Sequence, residues 1–236
     1  MKRILAYSPP IVFILYAFLP ACSLIGVLSG YAFTLYSELV YTIGLSVITL
    51  AAMVLFLCIK PKLNKANAVF CALLAPFSAI NGLCLVLADN HWTLLSTMIT
   101  FLCCGCSIVL AVRFVYPPVL KFLSLILSVL LLLCLLFAFA VKLLFGSFGY
   151  QAVVQSVPSP QGTFVAEVID SDEGALGGDT LVQVRNNRKR VNLLVGQFSK
   201  APVCVYTGEW GEFETMEIDW EDEQTLLING ETYWIE

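Results

Sequence analysis

The chain is nearly without histidine: His91 is the only one in 236 residues. Charge is scarce as well. Lys, Arg, Asp and Glu make up 13% of the chain, against 59% hydrophobic residues. No charged residue or histidine falls in the middle of a long apolar run. Each absence excludes something. With one histidine, and that one outside the polar C-terminal part, Ser-His or Cys-His catalysis has no base there. A proton-coupled transporter or a carrier of charged substrates lacks its usual intramembrane group. An intramembrane protease lacks its carboxylates or metal ligands. Phosphate-binding glycine loops, dinucleotide-binding glycine patterns and a nucleophile elbow are missing too. No catalytic residue, cofactor or metal site is expected, and no enzyme.

Cysteine is plentiful, yet it forms no framework. Eight of the nine (Cys22, Cys58, Cys71, Cys84, Cys103, Cys104, Cys106 and Cys134) lie inside apolar runs, where they act as small hydrophobes. Cys204 is alone in the polar part, so no disulfide pattern arises. Cys103-Cys104-Gly105-Cys106 invites a metal reading. On a helix, successive side chains point about 100° apart, so these thiols do not converge on one ion.

What is present is apolar length. Val119–Phe145 holds 27 residues with only Lys121 and Lys142 charged. Five such runs are predicted as membrane-spanning helices: about 9–31, 39–59, 68–88, 92–115 and 119–145. The last is longer than needed, about 40 Å against a hydrocarbon core of about 30 Å. It is expected to tilt, or to carry its last turns past Lys142 beyond the membrane and hold the β domain off the surface. Residues 1–146 are thus a five-span helical domain, 147–162 a linker and 163–236 a small β domain. Seven basic residues (Lys2, Arg3, Lys60, Lys62, Lys65, Arg113 and Lys121) fall on one side, while the loops Ala32–Glu38 and Asp89–His91 carry none. That bias predicts a cytoplasmic N-terminus and an extracytoplasmic C-terminal domain. Tyr31, Tyr36, Tyr41 and Trp92 suit the outer interface. Leu19-Pro20-Ala21-Cys22 also resembles a lipoprotein processing site. Against it, Pro20 fits poorly and the run stays apolar past Cys22. Both readings send the chain outward.

The halves differ in charge. Residues 1–150 hold eight Lys/Arg and two acids, a net of +6, and residues 151–236 hold five and fifteen, a net of −10. An acidic domain argues against nucleic acid as a partner. Its sequence reads as short strands: Thr163–Ile169, Thr180–Arg185, Arg190–Val195, Pro202–Thr207 and Glu214–Trp220. A closing hairpin follows, Thr225–Ile228 and Glu231–Ile235 around Asn229-Gly230, the pair that a tight I′ turn requires. Asp170-Ser171-Asp172-Glu173-Gly174 begins like a calcium loop. It lacks an acid or amide at its fifth position and Glu at its twelfth, so a solvated acidic loop is expected.

Two features of the spans stand out. Gly26 and Gly30 form a GxxxG, which serves either dimerisation or packing within the bundle, the bundle having first claim. Pro76, Ser78, Asn81 and Gly82 put a freed carbonyl and an amide in the third span. These line a polar path, or they belong to one kinked helix whose Asn81 bonds a neighbour's backbone.

Three stretches of the polar domain carry a resemblance. Ser159-Pro160-Gln161-Gly162-Thr163-Phe164 resembles an SPDGxY turn, with Gln161 in place of Asp. Gly177-Gly178-Asp179-Thr180 resembles a GGxT turn, and Ile218-Asp219-Trp220 through Asn229-Gly230 a closing hairpin. In this order they are similar to uncharacterised bacterial membrane-anchored proteins with a small extracytoplasmic β domain. The resemblance covers residues 157–236 and implies a β fold and a bacterial cytoplasmic membrane, with no activity attached. The expectation is a five-helix membrane bundle followed by an antiparallel β domain. That domain binds an envelope or membrane protein while the helices rest in the lipid bilayer. The alternatives are a channel-like path at Asn81 and, more weakly, a membrane enzyme.

Overall fold

The computed structural model describes residues 7–88, 94–145, 149–174 and 177–235. Lys2, Arg3, Trp92 and the loop Asp89–His91 lie outside the described residues. Among the described residues, five helices are long and apolar enough to cross a membrane: α1 (Ser8–Ser29), α2 (Glu38–Ile59), α3 (Lys65–Leu87), α4 (Leu94–Phe114) and α5 (Pro118–Phe145). Between α1 and α2 stands a strand, β1 (Tyr31–Leu35). A small antiparallel β region follows α5. The chain forms two compact units. One draws on Met1–Ile25 and Leu35–Lys142, the other on Gly26–Thr34 and Leu143–Glu236.

Helix ends follow local chemistry. Ser37 caps α2 by accepting from the Val40 amide at 3.3 Å, and Asn64 caps α3 by accepting from Asn67 at 2.7 Å. Lys60 ends α2 in the left-handed conformation, its amide donating to Phe56 at 2.9 Å. The helix α1 stops two residues short of its predicted end, because Gly30 turns left-handed at φ +72°.

In the helical unit α3 is central: 61% of its apolar window is buried, against 17% for α5. Two prolines then set the polar contacts. Pro20, inside α1, has no N–H, so the Tyr16 carbonyl four residues back loses its helical partner. Asn81 of α3 donates to that oxygen through Nδ2 at 3.2 Å. Pro76, inside α3, frees the Ala72 carbonyl in the same way, and the Ser124 hydroxyl of α5 donates to it. Each freed carbonyl thus draws in a neighbouring helix. Tyr41 of α2 accepts from Asn81 Nδ2 at 2.9 Å and donates to the Leu15 carbonyl at 3.3 Å. Tyr16 and Thr49 join α1 to α2 through their hydroxyls at 2.6 Å. Gly82 is the close-approach point. A Cβ there would lie 2.6 Å from Thr100 Cγ2 and 2.9 Å from Leu135 Cδ2. The helix α5 runs past Lys142, whose ammonium donates to the Val86 and Ala88 carbonyls at 3.0 and 2.9 Å. Carbonyls at the end of a helix have no partner within it, so the lysine caps α3.

Among the described residues the β unit has three sheets. The largest, ordered β2-β3-β4-β7, comprises β2 (Tyr150–Pro158), β3 (Phe164–Asp172), β4 (Gly178–Asn186) and β7 (Val203–Glu209). All its pairs are antiparallel, with register shifts at Val153/Gln155 and Val182/Gln183. A second sheet, β10-β9-β8, uses β8 (Ile218–Trp220), β9 (Thr225–Ile228) and β10 (Glu231–Trp234). The third, β1-β6-β5, joins β1 to the hairpin of β5 (Arg190–Asn192) and β6 (Gly196–Lys200). One core holds the first two sheets together: Ala166, Val168, Val182 and Val184 meet Ile218, Trp220, Leu226 and Ile228. The Asn229-Gly230 turn has both residues at positive φ, 50° and 82°, as a I′ turn demands.

Four expectations are corrected. Residues 150–158 of the predicted linker are strand β2, since an edge strand without strict alternation reads as loop in sequence. Part of the predicted outer loop Ala32–Glu38 is strand β1, paired with a strand far along the chain. The acidic stretch Asp170–Gly174 is loop only from Glu173, which is exposed: Asp170 and Ser171 are buried within β3. The predicted strand Glu214–Trp220 is strand only from Ile218, and Glu212–Glu214 is a 3-10 turn.

The carbonyl account has a direct check in the full chain purified in detergent. Asn81→Leu should cost about 1–3 kcal/mol, the penalty for a buried unsatisfied acceptor. Pro20→Ala restores the missing N–H, so in that background Asn81→Leu should cost clearly less. Equal costs in thermal unfolding of both backgrounds would overturn the pairing.

Candidate functional site

A groove of about 300 Å³ opens in the β unit. Its floor is apolar. Phe164 at the start of β3, Val184 of β4 and Ile235 just after β10 are buried there. Val203 and Val205 of β7 form one wall. Trp234 stands at the rim, 74% exposed, and Lys200 at the end of β6 supplies a cation. Asn186 completes the lining, but its side-chain oxygen is engaged, accepting from the Arg188 and Lys189 amides at 3.0 and 3.1 Å.

The groove borders β7, an edge of the four-stranded sheet. Val205 is the residue skipped in pairing, since Cys204 faces Gln183 and Tyr206 faces Val182. A bulge of this kind bends an edge strand and re-aims its side chains. Chemically the site can take an apolar side chain, stack an extended segment on Trp234 and meet a carboxylate with Lys200. It holds no nucleophile paired to a base.

A carboxylate knot fixes the floor. Glu223, in the turn between β8 and β9, accepts from Ser159 Oγ at 2.8 Å, the Gln161 amide at 2.7 Å and the Thr163 amide at 3.0 Å. Ser159 Oγ in turn accepts from the Phe164 amide at 3.0 Å. Gly162, at φ +68°, lets the turn close. The Ser159–Phe164 turn and the closing hairpin, separate in sequence, therefore meet on one side chain. Trp220 adds a second tie, its indole N–H donating to the Val157 carbonyl at 3.0 Å, and its ring lies 6.3 Å from that of Phe164. Ile235 is held by its amide, which donates to the Gln224 carbonyl at 2.8 Å. Desolvation works against the charge on Glu223, but the hydrogen bonds from Thr163, Gln161 and Ser159 outweigh it and hold its pKa at about 2, below the ordinary 4.5.

The residues singled out from sequence fall elsewhere. Gly26 and Gly30 sit at the turn out of α1. Gly30 lies beyond the helix end, and a Cβ on Gly26 would lie 2.6 Å from the Tyr31 carbonyl oxygen. The pair thus serves the return of the chain into β1. Pro76 and Asn81 are buried in α3, with the freed carbonyl and the amide hydrogens engaged as described. Cys103, Cys104 and Cys106 are buried and unbridged. Among the described residues no group of three or more His, Cys, Asp or Glu side chains could hold a metal ion. Sequence reading missed Ser124, Glu223, Lys200 and Trp234. The first had a signal: counting four residues back from each proline marks Tyr16 and Ala72 as carbonyls needing an outside donor. The groove residues had none, because separate strands bring them together.

No family model matches the chain, and no match is found among curated proteins or solved structures.

The Glu223 knot predicts an acid response. A depressed carboxylate pKa contributes stability above the ordinary value, and that stability is lost as pH falls from about 4.5 towards 2. Glu223→Gln should remove this pH dependence while lowering stability at neutral pH. Near-ultraviolet circular dichroism of the full chain follows it. Identical acid profiles for the two proteins would show that the knot is not ionised.

Proposed function

We propose that the chain is a multi-pass protein of a bacterial cytoplasmic membrane. Its N-terminus is cytoplasmic, and its β unit lies outside as a non-enzymatic binding module. The supporting argument for topology is one of parity. β1 lies between α1 and α2, yet it pairs with β6, which follows α5. The two strands share one side of the bilayer, so the four helices between them must cross an even number of times. Four crossings satisfy this, and three would not. The basic residues beside α2, α3, α4 and α5 then put the opposite side in the cytoplasm.

The observation that carries the binding reading is the groove beside β7. An exposed edge strand next to an apolar cleft is the arrangement that accepts an added extended segment: main-chain hydrogen bonds give affinity and the cleft selects a side chain. The bound partner is an extended, apolar stretch of an envelope or membrane protein with a carboxylate near Lys200. Trp234 supplies the rigid aromatic anchor that such interfaces favour.

Two measurements test this in intact cells. A photo-crosslinker in place of Trp234 should trap a distinct protein, and Lys200→Glu should lower the yield about fivefold by putting like charges together. No product beyond that given by a crosslinker at exposed Asp219 would remove the binding reading. Cys204, which is exposed, should react with a membrane-impermeant maleimide from outside when the other cysteines are replaced. Labelling only after lysis would reverse the orientation.

A further inference from the structure

The five basic residues of the acidic C-terminal half are unevenly placed. Arg188, Lys189, Arg190 and Lys200 lie on or beside the β5–β6 hairpin. Arg185 lies on β4 and is paired with Glu167. Among the described residues none of the other four is in an ion pair. The hydrogen bonds that Arg188 and Arg190 do make go to neutral acceptors, the Gln161 carbonyl and the Asn187 side-chain oxygen.

The same hairpin is capped by bare hydrophobes. Leu194 is 97% exposed, Val191 56% and Leu193 37%. The turn is closed by the Leu193 amide donating to Gly196 at 2.8 Å. Tight hairpin tips favour Asn, Asp and Gly, so leucines there call for a physical reason. Pairing sets Val191 opposite Phe198, hence on one face, and the Phe198 ring lies 4.9 Å from Phe33 of β1. An apolar stripe thus runs from the hairpin to β1.

Chain connection limits how far β1 can lie from the ends of α1 and α2. β1 begins two residues after Ser29, the last of α1, and ends three residues before Glu38, the first of α2. At no more than about 3.6 Å per residue, both ends of β1 stay within about 11 Å of two helix ends. β6 and β5 add two strand spacings of about 4.8 Å each. The hairpin is therefore tethered within reach of any bilayer those helices cross. Exposed leucines flanked by lysine and arginine suit the boundary between headgroups and acyl chains. The rest of the domain is acidic and would be repelled by an anionic surface, which leaves the hairpin as the side that can face it.

We propose that the β5–β6 hairpin is a lipid-contact site: Leu193 and Leu194 enter the interfacial layer, and Arg188, Lys189 and Arg190 bind the phosphate groups of anionic phospholipids. This rests on the reading that the five helices cross a membrane. It does not depend on which side the β unit occupies.

The test uses the full chain, with Cys58, Cys84, Cys134 and Cys204 replaced by serine, in nanodiscs of mixed phosphatidylglycerol and phosphatidylcholine. An environment-sensitive fluorophore is placed on Leu194→Cys, or on Asp219→Cys as control. Doxyl-labelled lipid should quench the label at position 194 about threefold more than the control. Salt should reduce the difference, as should Arg188→Glu with Lys189→Glu and Arg190→Glu. The salt series keeps the test decisive if the charge variant does not fold. Equal quenching at the two positions overturns the contact. Strong quenching in pure phosphatidylcholine that ignores salt overturns the anionic recognition. Shielding that requires two chains per nanodisc assigns the tip to a second copy and also overturns it. A chain that does not enter nanodiscs sinks the membrane reading, and this inference with it.

Discussion

In a buried, apolar interior every backbone carbonyl needs a donor, and water cannot supply one. That constraint organises the helical unit. Pro20 and Pro76 each remove one N–H and leave an oxygen without its partner, on Tyr16 and on Ala72. Asn81 and Ser124 donate to these two oxygens. The first bond runs from α3 to α1 and the second from α5 to α3. Each proline thus costs a helical hydrogen bond and, in exchange, selects one neighbour in one register. The small residues serve the same contacts, since Gly82 lets Thr100 and Leu135 close on α3. Lys142 applies the rule at a helix end, where the Val86 and Ala88 carbonyls accept from its ammonium.

The β unit uses charge where the helices use amides and hydroxyls. Glu223 gathers two backbone amides and a hydroxyl from a turn some 60 residues away. Those bonds hold the entry to β3 and hence Phe164, which floors the groove. The geometry is thus settled by one side chain that touches no apolar lining residue through its carboxylate. Around this frame the surface divides by composition. The groove beside β7 presents valines, Trp234 and Lys200, whereas the β5–β6 hairpin presents leucines and arginines. Of the basic residues there, Lys200 lines the groove, while Arg188, Lys189 and Arg190 lie on or beside the β5–β6 hairpin.

Much of this was legible in the residues. Run length and composition marked the five helices, because an apolar run of about 20 residues is long enough, as helix, to cross a hydrocarbon core. The Asn229-Gly230 turn was legible because few residues tolerate positive φ at both central positions. β-rich composition marked β3, β4 and β7 of the larger sheet. It missed β1, β2 and β6, whose exposed or mixed faces carry no period-two signal.

By itself, then, the sequence determined the number and length of the helices, the presence of a β region and the sharp charge division between the halves. Each of these follows from local composition. Only the tertiary structure decided which donor meets which freed carbonyl, that β1 leaves the helices to join β6, and that Phe164, Val203, Lys200 and Trp234 share one groove. The physical reason is distance along the chain. Composition and periodicity are sums over neighbours in sequence. A hydrogen bond between Asn81 and Tyr16, or a sheet that pairs β1 with β6, is instead set by shape and by the demand that each buried polar group find a partner.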